Sequence, residues 1–230
     1  MAEFLDVGRL KDRMSGTVFR QVRVVGETDS TNMDAADAGR AGAVAGLVIA
    51  TGSQRAGRGR LDRRWEAPPN TSLALSVLLA PRRPLTDWGW LSLVAGMAVV
   101  DAIGEVTGLS LRLKWPNDVM SGERKLCGIL SERVAVGDRG MAVVGMGVNL
   151  YLTPDQLPVD TATSLVIEGV DADATEVAGA ILGCFDRWYR VWELSGSLVE
   201  PYSARSSTIG REVSIHLGGG QPVRGKAVGV

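Results

Sequence analysis

Histidine and cysteine are nearly missing from this 230-residue chain, which has one histidine, His216, and two distant cysteines, Cys127 and Cys184. They offer neither the spacing of a zinc site nor a disulfide framework, and the apolar surroundings of both cysteines fit a reducing, cytoplasmic setting. An excess of charge of one sign is lacking too. Lys and Arg total 25 against 26 Asp and Glu. That argues against a protein that is basic overall and coats nucleic acid, so any basic function must be local. The charged N-terminus, MAEFLDVGRLKDRM, has no apolar stretch of the kind a secretion signal needs. The longest uncharged apolar run, Trp88 to Val100, falls short of the roughly 20 residues that span a bilayer. It reads as a buried helix, and neither membrane nor DNA is expected as a partner. Internal repeats and low-complexity tails are absent as well.

What is present is a core. The apolar fraction is 45%, with 29 glycines, enough for one large domain or one domain with a small appendage. Val22–Gly26 alternates as a strand, and Asp29 or Ser30 caps a helix over TNMDAADAGRA. Residues 46–51 and Ser72–Leu79 read as strands, Asp87–Thr107 as a long apolar helix, and 111–115 as a short strand stopped by Pro116. KLCGILSERVAV and MAVVGMGVNL read as neighbouring strands, the second apolar enough to be covered on both faces. Asp173–Leu194 reads as an amphipathic helix carrying Ile181, Leu182, Phe185, Trp188, Tyr189 and Trp192. After about residue 205 the character changes to one alternating hairpin, with His216 as a plain surface residue. A lone hairpin is not a stable unit; it either docks on the main domain or belongs to a chain continuing past Val230, and the second is favoured. The order of elements predicts α+β, a mixed and mainly antiparallel sheet with helices on one side. Residues 1–205 form the main domain and 206–230 the start of another.

Two clusters carry chemistry. TGSQRAGRGRLDRRWE (51–66) follows a core strand and holds Arg55, Arg58, Arg60, Arg63 and Arg64, with Gly57 and Gly59 between them. It misses the P-loop pattern, because Arg58 stands where lysine belongs and Gly59 replaces the metal-binding hydroxyl. GMGVNL (145–150) likewise fails the dinucleotide fingerprint. The ingredients are still those of anion binding: glycines let backbone N–H groups approach, and guanidinium forks match phosphate oxygens. Mutual repulsion predicts a mobile loop that orders on an anion. Taken alone, the loop reads first as solvated charge, with nucleic-acid contact as the runner-up. The second cluster is LKWPNDVMSGERKLCGIL (113–130), in which Pro116 holds Trp115 extended and Asn117-Asp118 turns the chain. It gathers an amide, a carboxylate and Lys125 at strand ends, a set that fits a nucleotide with Mg²⁺. Alone, Asp118 is more often a turn residue and Lys125 a solvated charge; the joint occurrence of both clusters is the signal.

DSTN (29–32), QRAGRGR (54–60) with Arg63 and Trp65, KWPND (114–118), RKLCGIL (124–130) and GMGVN (145–149) occur in the order seen in biotin protein ligases. The chain resembles that family from about residue 20 to its end. One departure is Cys127, where the family usually has a small residue such as alanine; it reads as apolar filler. The resemblance implies a class II synthetase-like catalytic domain and the beginning of an SH3-like barrel, cut short. It implies two steps: ATP activates the biotin carboxylate as biotinyl-5'-adenylate with loss of pyrophosphate, and a lysine of a biotin carboxyl carrier protein then attacks. Bringing two anions together is chiefly an electrostatic problem, which Arg58, Arg60, Arg63 and Lys125 with Mg²⁺ would solve. By motif match, Ser30, Thr31, Asn32, Gln54, Gly57, Arg58, Arg60, Lys125 and Gly128 surround biotin. Arg60, Arg63, Trp65, Asn117, Lys125 and Asn149 attend the nucleotide. Lys125, Arg58, Arg60 and Asp118 are catalytic, Asp118 as Mg²⁺ ligand or as proton acceptor. About 20 residues before the first strand are too few for a helix-turn-helix, so a ligase without repressor function is expected, monomeric or weakly dimeric. A lipoate or octanoate ligase is the nearest rival, against which the polar set Ser30, Thr31 and Gln54 argues.

Overall fold

The computed structural model describes residues 4–137, 140–215 and 221–230; His216 lies outside the described residues. The chain runs α1 (Val7–Arg13), β1 (Gln21–Val24), α2 (Thr31–Arg40), β2 (Leu47–Thr51), β3 (Gly57–Arg58), β4 (Arg64–Trp65), β5 (Ser72–Leu79), α3 (Trp90–Thr107), β6 (Arg112–Lys114), β7 (Asp118–Ser121), β8 (Arg124–Val134), β9 (Met141–Asn149), α4 (Ala174–Ser195), α5 (Val199–Arg205), β10 (Glu212–Ile215) and β11 (Val223–Lys226). Seven strands form one sheet in the order β1-β2-β5-β9-β8-β7-β6. Only β1 and β2 run parallel; the other neighbours are antiparallel. This is the mixed, mainly antiparallel α+β sheet that the sequence predicts.

Period-two alternation decides which residues face which layer. Leu73, Leu75, Val77 and Leu79 of β5, with Val144, Met146 and Val148 of β9, join α1, α3 and α4 in the main core. Each such fully buried side chain contributes roughly 1.5–3 kcal/mol. α3 is apolar nearly all round because it is covered nearly all round: it packs on α4 and on β6 through β9. It is long and apolar enough to cross a membrane, yet is largely buried in the protein. Gly96 lets it close on the sheet, since a Cβ there would stand 2.8 Å from Leu113. α4 is amphipathic as predicted; Asp173 caps it by accepting from the Glu176 N–H, and Gly196 ends it in the left-handed conformation.

The other face departs from the expectation of helices on one side. α2 packs there, with Ala35 against Leu47, Ile49, Leu78 and Val143 in a smaller core. α2 covers only part of that face, and the uncovered remainder is the floor of the cleft described next. Two short helices went unpredicted. α1 begins at Asp6, whose carboxylate accepts from the Arg9 N–H, and α5 leads into the terminal hairpin. That hairpin, β10 with β11, is a separate two-stranded sheet. It is tied to the edge strand: Ser207 N–H donates to Leu113 O at 2.7 Å, and Trp115 N–H to Thr208 Oγ1 at 2.9 Å.

Candidate active site

The uncovered half of the sheet is floored by its smallest residues. Register places Gly128, Gly147 and Ala74 side by side across β8, β9 and β5, and Leu130, Gly145 and Ser76 in the next row. A Cβ on Gly147 would stand 2.7 Å from the Trp65 ring, one on Gly128 2.9 Å from it, and one on Gly145 2.0 Å from Asn32 Oδ1. Only a bare backbone admits these side chains so close. Above the floor opens a cleft of about 1740 Å³, bounded by α2, the arginine segment, the β7–β8 turn and the terminal hairpin.

The arginine segment forms a small hairpin. β3 and β4 pair Gly57 with Trp65 and Arg58 with Arg64, and the turn is closed by the Arg63 N–H to Arg60 O. Leu61 and Asp62 at its tip have φ of 56° and 58°, the pair of left-handed residues a type I′ turn demands. The arginines are not equivalent. Arg55 lies outside the cleft and is held by Asp29 at 2.8 Å and Glu27 at 3.3 Å, which raises its pKa. Arg58 pairs with Glu132 at 2.9 Å. Arg60 and Arg63 line the cleft, exposed, and no carboxylate among the described residues lies within 4.0 Å of either.

At the α2 end, polar side chains interlock. Gln54 Oε1 accepts from the Thr31 N–H at 2.8 Å and faces its hydroxyl at 3.2 Å. Ser76 Oγ lies 2.7 Å from both Thr31 Oγ1 and Asn32 Oδ1. The Asn32 amide donates to Leu130 O and to Glu132. Ser30 is the N-cap of α2 but makes no side-chain capping bond, so its hydroxyl is available to the cleft. At the opposite end, Lys125 Nζ approaches Asp118 Oδ1 to 2.6 Å as an ion pair without hydrogen-bond alignment. It also stands 5.8 Å from the centre of the Trp65 ring, within cation–π range. The Trp115–Pro116 peptide is cis.

Most of the predicted residues therefore converge: Ser30, Thr31, Asn32, Gln54, Arg58, Arg60, Arg63, Trp65, Asn117, Asp118, Lys125 and Gly128 all border the cleft. Two do not. Gly57 is the buried pivot of the hairpin, where a Cβ would meet Trp65 O at 2.4 Å. Asn149 lies below the cleft with both ends of its amide in use, accepting from Ser72 Oγ and donating to Thr163 O. Asn117 borders the cleft but spends its amide N–H on Ile129 O. Ser76, Glu132, Gly145 and Gly147 were missed. For Ser76, Gly145 and Gly147 the signal was the alternation itself: SLALSVLL and MAVVGMGVN carry their small residues at every second position, on one face.

The donor set does not amount to a resident metal site. Among the described residues, no group of three or more His, Cys, Asp or Glu could hold a cation, and Asp118 and Glu132 are already paired with cations.

An anion-gathering hairpin over a small-residue floor, with a lysine at the strand ends, suits enzymes that couple an acid to a nucleotide. Residues 25–149 match the Biotin/lipoate A/B protein ligase family, and the chain belongs to that family. The match runs from the turn before α2 to the end of β9. More particularly, the chain is 39% identical over 232 residues to a biotin–[acetyl-CoA-carboxylase] ligase of Mycobacterium tuberculosis, covering 97% of this chain and 85% of that protein. It is 36% identical over 172 residues to the bifunctional ligase/repressor of Bacillus subtilis, of which it covers 53%. Among solved structures, a biotin protein ligase from Aquifex aeolicus in complex with biotin and ATP aligns at a TM-score of 0.77 and 30% identity, over 92% of this chain and 88% of that one.

Proposed function

We propose that this chain is an ATP-dependent biotin protein ligase acting on a lysine of a biotin carboxyl carrier protein. The observation that carries the reading is the convergence of Arg58, Arg60, Arg63 and Lys125 on one cleft that Ser30, Thr31, Asn32 and Gln54 also line. Cations together with a polar socket match a ligand with a carboxylate and a ureido ring. In the first step a biotin carboxylate oxygen attacks the α-phosphorus of ATP, and the bond to pyrophosphate breaks. Lys125 and the hairpin arginines neutralise charge that would keep the two acids apart. In the second step the carrier lysine nitrogen attacks the acyl carbon, AMP leaves, and the lysine loses a proton as the amide forms. The hairpin and Trp65 cover the mixed anhydride and exclude water. Mg²⁺ accompanying ATP would supply further charge neutralisation on the phosphates. Asp118, which pairs with Lys125, would hold the cation by exchanging that partner, or else accept the proton of the carrier lysine.

Residues 1–205 are the catalytic unit in this reading and 206–230 open a small SH3-like β-domain. The polar socket has no counterpart in an aliphatic acyl chain, so octanoate and lipoate serve as competitors in the test. That test is incubation with ATP, Mg²⁺ and labelled biotin, followed first for labelled adenylate and then for label on a carrier lysine. Labelled octanoate in place of biotin on the carrier would redirect the assignment. Asp118→Asn separates the two roles of that carboxylate: loss of transfer with adenylate formation intact assigns the proton, and loss of both assigns the metal.

A further inference from the structure

Lys125 is clasped from behind by a segment outside the cleft. Its backbone N–H donates to Thr161 O at 2.7 Å, and its carbonyl accepts from the Thr163 N–H at 2.9 Å. Both main-chain groups of the lysine are therefore held by residues 161–163, which meet the start of β8 at an isolated parallel bridge between Lys125 and Ala162. That strap is pinned at two points. Asn149, buried at 4% exposure, donates its amide N–H to Thr163 O at 2.9 Å. Glu168 gathers three separate pieces of chain: one carboxylate oxygen accepts from Thr163 Oγ1 and from Arg124 at 2.7 Å, and the other accepts from Ser121 Oγ at 2.7 Å. Ser121 and Arg124 flank the β7–β8 turn immediately before Lys125. Asn149, Thr163 and Glu168 do not border the cleft; whatever they do for the reaction they do through the lysine.

We propose that Glu168 and Asn149 are positioning residues that hold Lys125 in register for adenylate formation. The inference rests on the assignment of Lys125 to that step. An ammonium on a flexible four-carbon stem is a poor fixed charge unless its root is fixed, and its neighbour across the sheet is irregular, because the β7–β8 register shifts between Val119 and Met120. A carboxylate bridging both sides of the turn and the strap removes that freedom. Glu168 is well shielded, its side chain at 12% exposure, so its charge-assisted hydrogen bonds are not diluted by water as surface pairs are.

The test is a double-mutant cycle on the full chain. Glu168→Gln and Thr163→Val are each expected to lower kcat for adenylate formation about ten- to a hundredfold, up to the loss that a displacement of about 1 Å brings, with KM for biotin and ATP little changed. Transfer from preformed biotinyl-adenylate to the carrier should be spared. In a Lys125→Ala background the same two changes should cost nothing further, since they have no lysine left to position. Losses that add in full to that of Lys125→Ala, or a KM effect without a kcat effect, would overturn the proposal. Asn149→Asp keeps one acceptor but removes the donor to Thr163 O, and should repeat the Glu168→Gln pattern if the variant with valine at 163 proves too unstable to assay. If the unmodified chain makes no adenylate at all, it is the ligase assignment that fails and not this one.

Discussion

At the scale of single residues, the cleft depends on side chains that are not there. Gly147 gives Trp65 its seat, and Gly147→Ala would force a methyl group to 2.7 Å from the ring. The ring must lift, so we expect a red shift of tryptophan emission that is absent in a Trp65→Phe background. KM for ATP should rise on the order of tenfold, and the thermal midpoint should barely move because β9 itself is undisturbed. Cys127 is the opposite case, a side chain without chemistry. Burial, only partly offset by nearby Lys125, pushes its thiol up to about 12 from 9.0. Folding thus favours the protonated form. The stability this contributes is intact below pH 9 and is lost as pH climbs from there towards 12, with Cys184, raised to about 11, acting in the same direction. Urea midpoints of the parent and Cys127→Ala should therefore draw together across that window. The sequence made the charged and amide residues legible because their motifs are contiguous. Glu132 was hidden because its role is set by Arg58 on β3 and Asn32 on α2, which no local window around it contains.

At the scale of elements, the arginine hairpin is the piece the sequence described least well. Its composition predicts charge repulsion and mobility. What that reading omitted is that Gly57 and Trp65 are far enough apart to pair across a two-residue turn. The tip carries a cost: Leu61 and Asp62 both adopt the left-handed conformation, at roughly 1–2 kcal/mol for each residue with a side chain. Asp62→Gly relieves one of them. It should make the hairpin the more populated form and slow tryptic cleavage at Arg58, Arg60 and Arg63 in the absence of ligand; unchanged cleavage would mean that pairing of β3 with β4 does not limit opening. α4, by contrast, was legible almost to the residue through its period, and α3 through its long apolar run, with its start displaced from Asp87 to Trp90; both end at a glycine. α1 and α5, each of seven residues, are too short to carry a period, and their helicity comes from packing and capping.

At the scale of the molecule, the sheet order was legible only in part: β8 and β9 read as neighbours, and they pair. Nothing in the sequence says that β1 pairs in parallel with β2 or that the far side of β9 takes β5; those neighbours are chosen by burial of whole faces. The consequence is that the cleft borrows from nearly every part of the chain, from Ser30 to Val230. Ligands filling it should stabilise the whole fold. Biotin with a non-hydrolysable ATP analogue, each at about 100 times its dissociation constant, should each add about 2.7 kcal/mol. For a chain of this size that raises the midpoint by roughly 5–10 °C per ligand, and a combined shift above the sum of the two would mean that each ligand organises the other's site. The near-neutral charge of the chain is reproduced in miniature here, because Glu132 gives Arg58 an internal counter-anion. An arriving phosphate or carboxylate takes a guanidinium that is already engaged, so part of the attraction is spent on an exchange of partners. The same exchange runs in reverse once the ligand departs: Glu132 recovers Arg58, and the guanidinium returns to a partnered state ready for the next turnover.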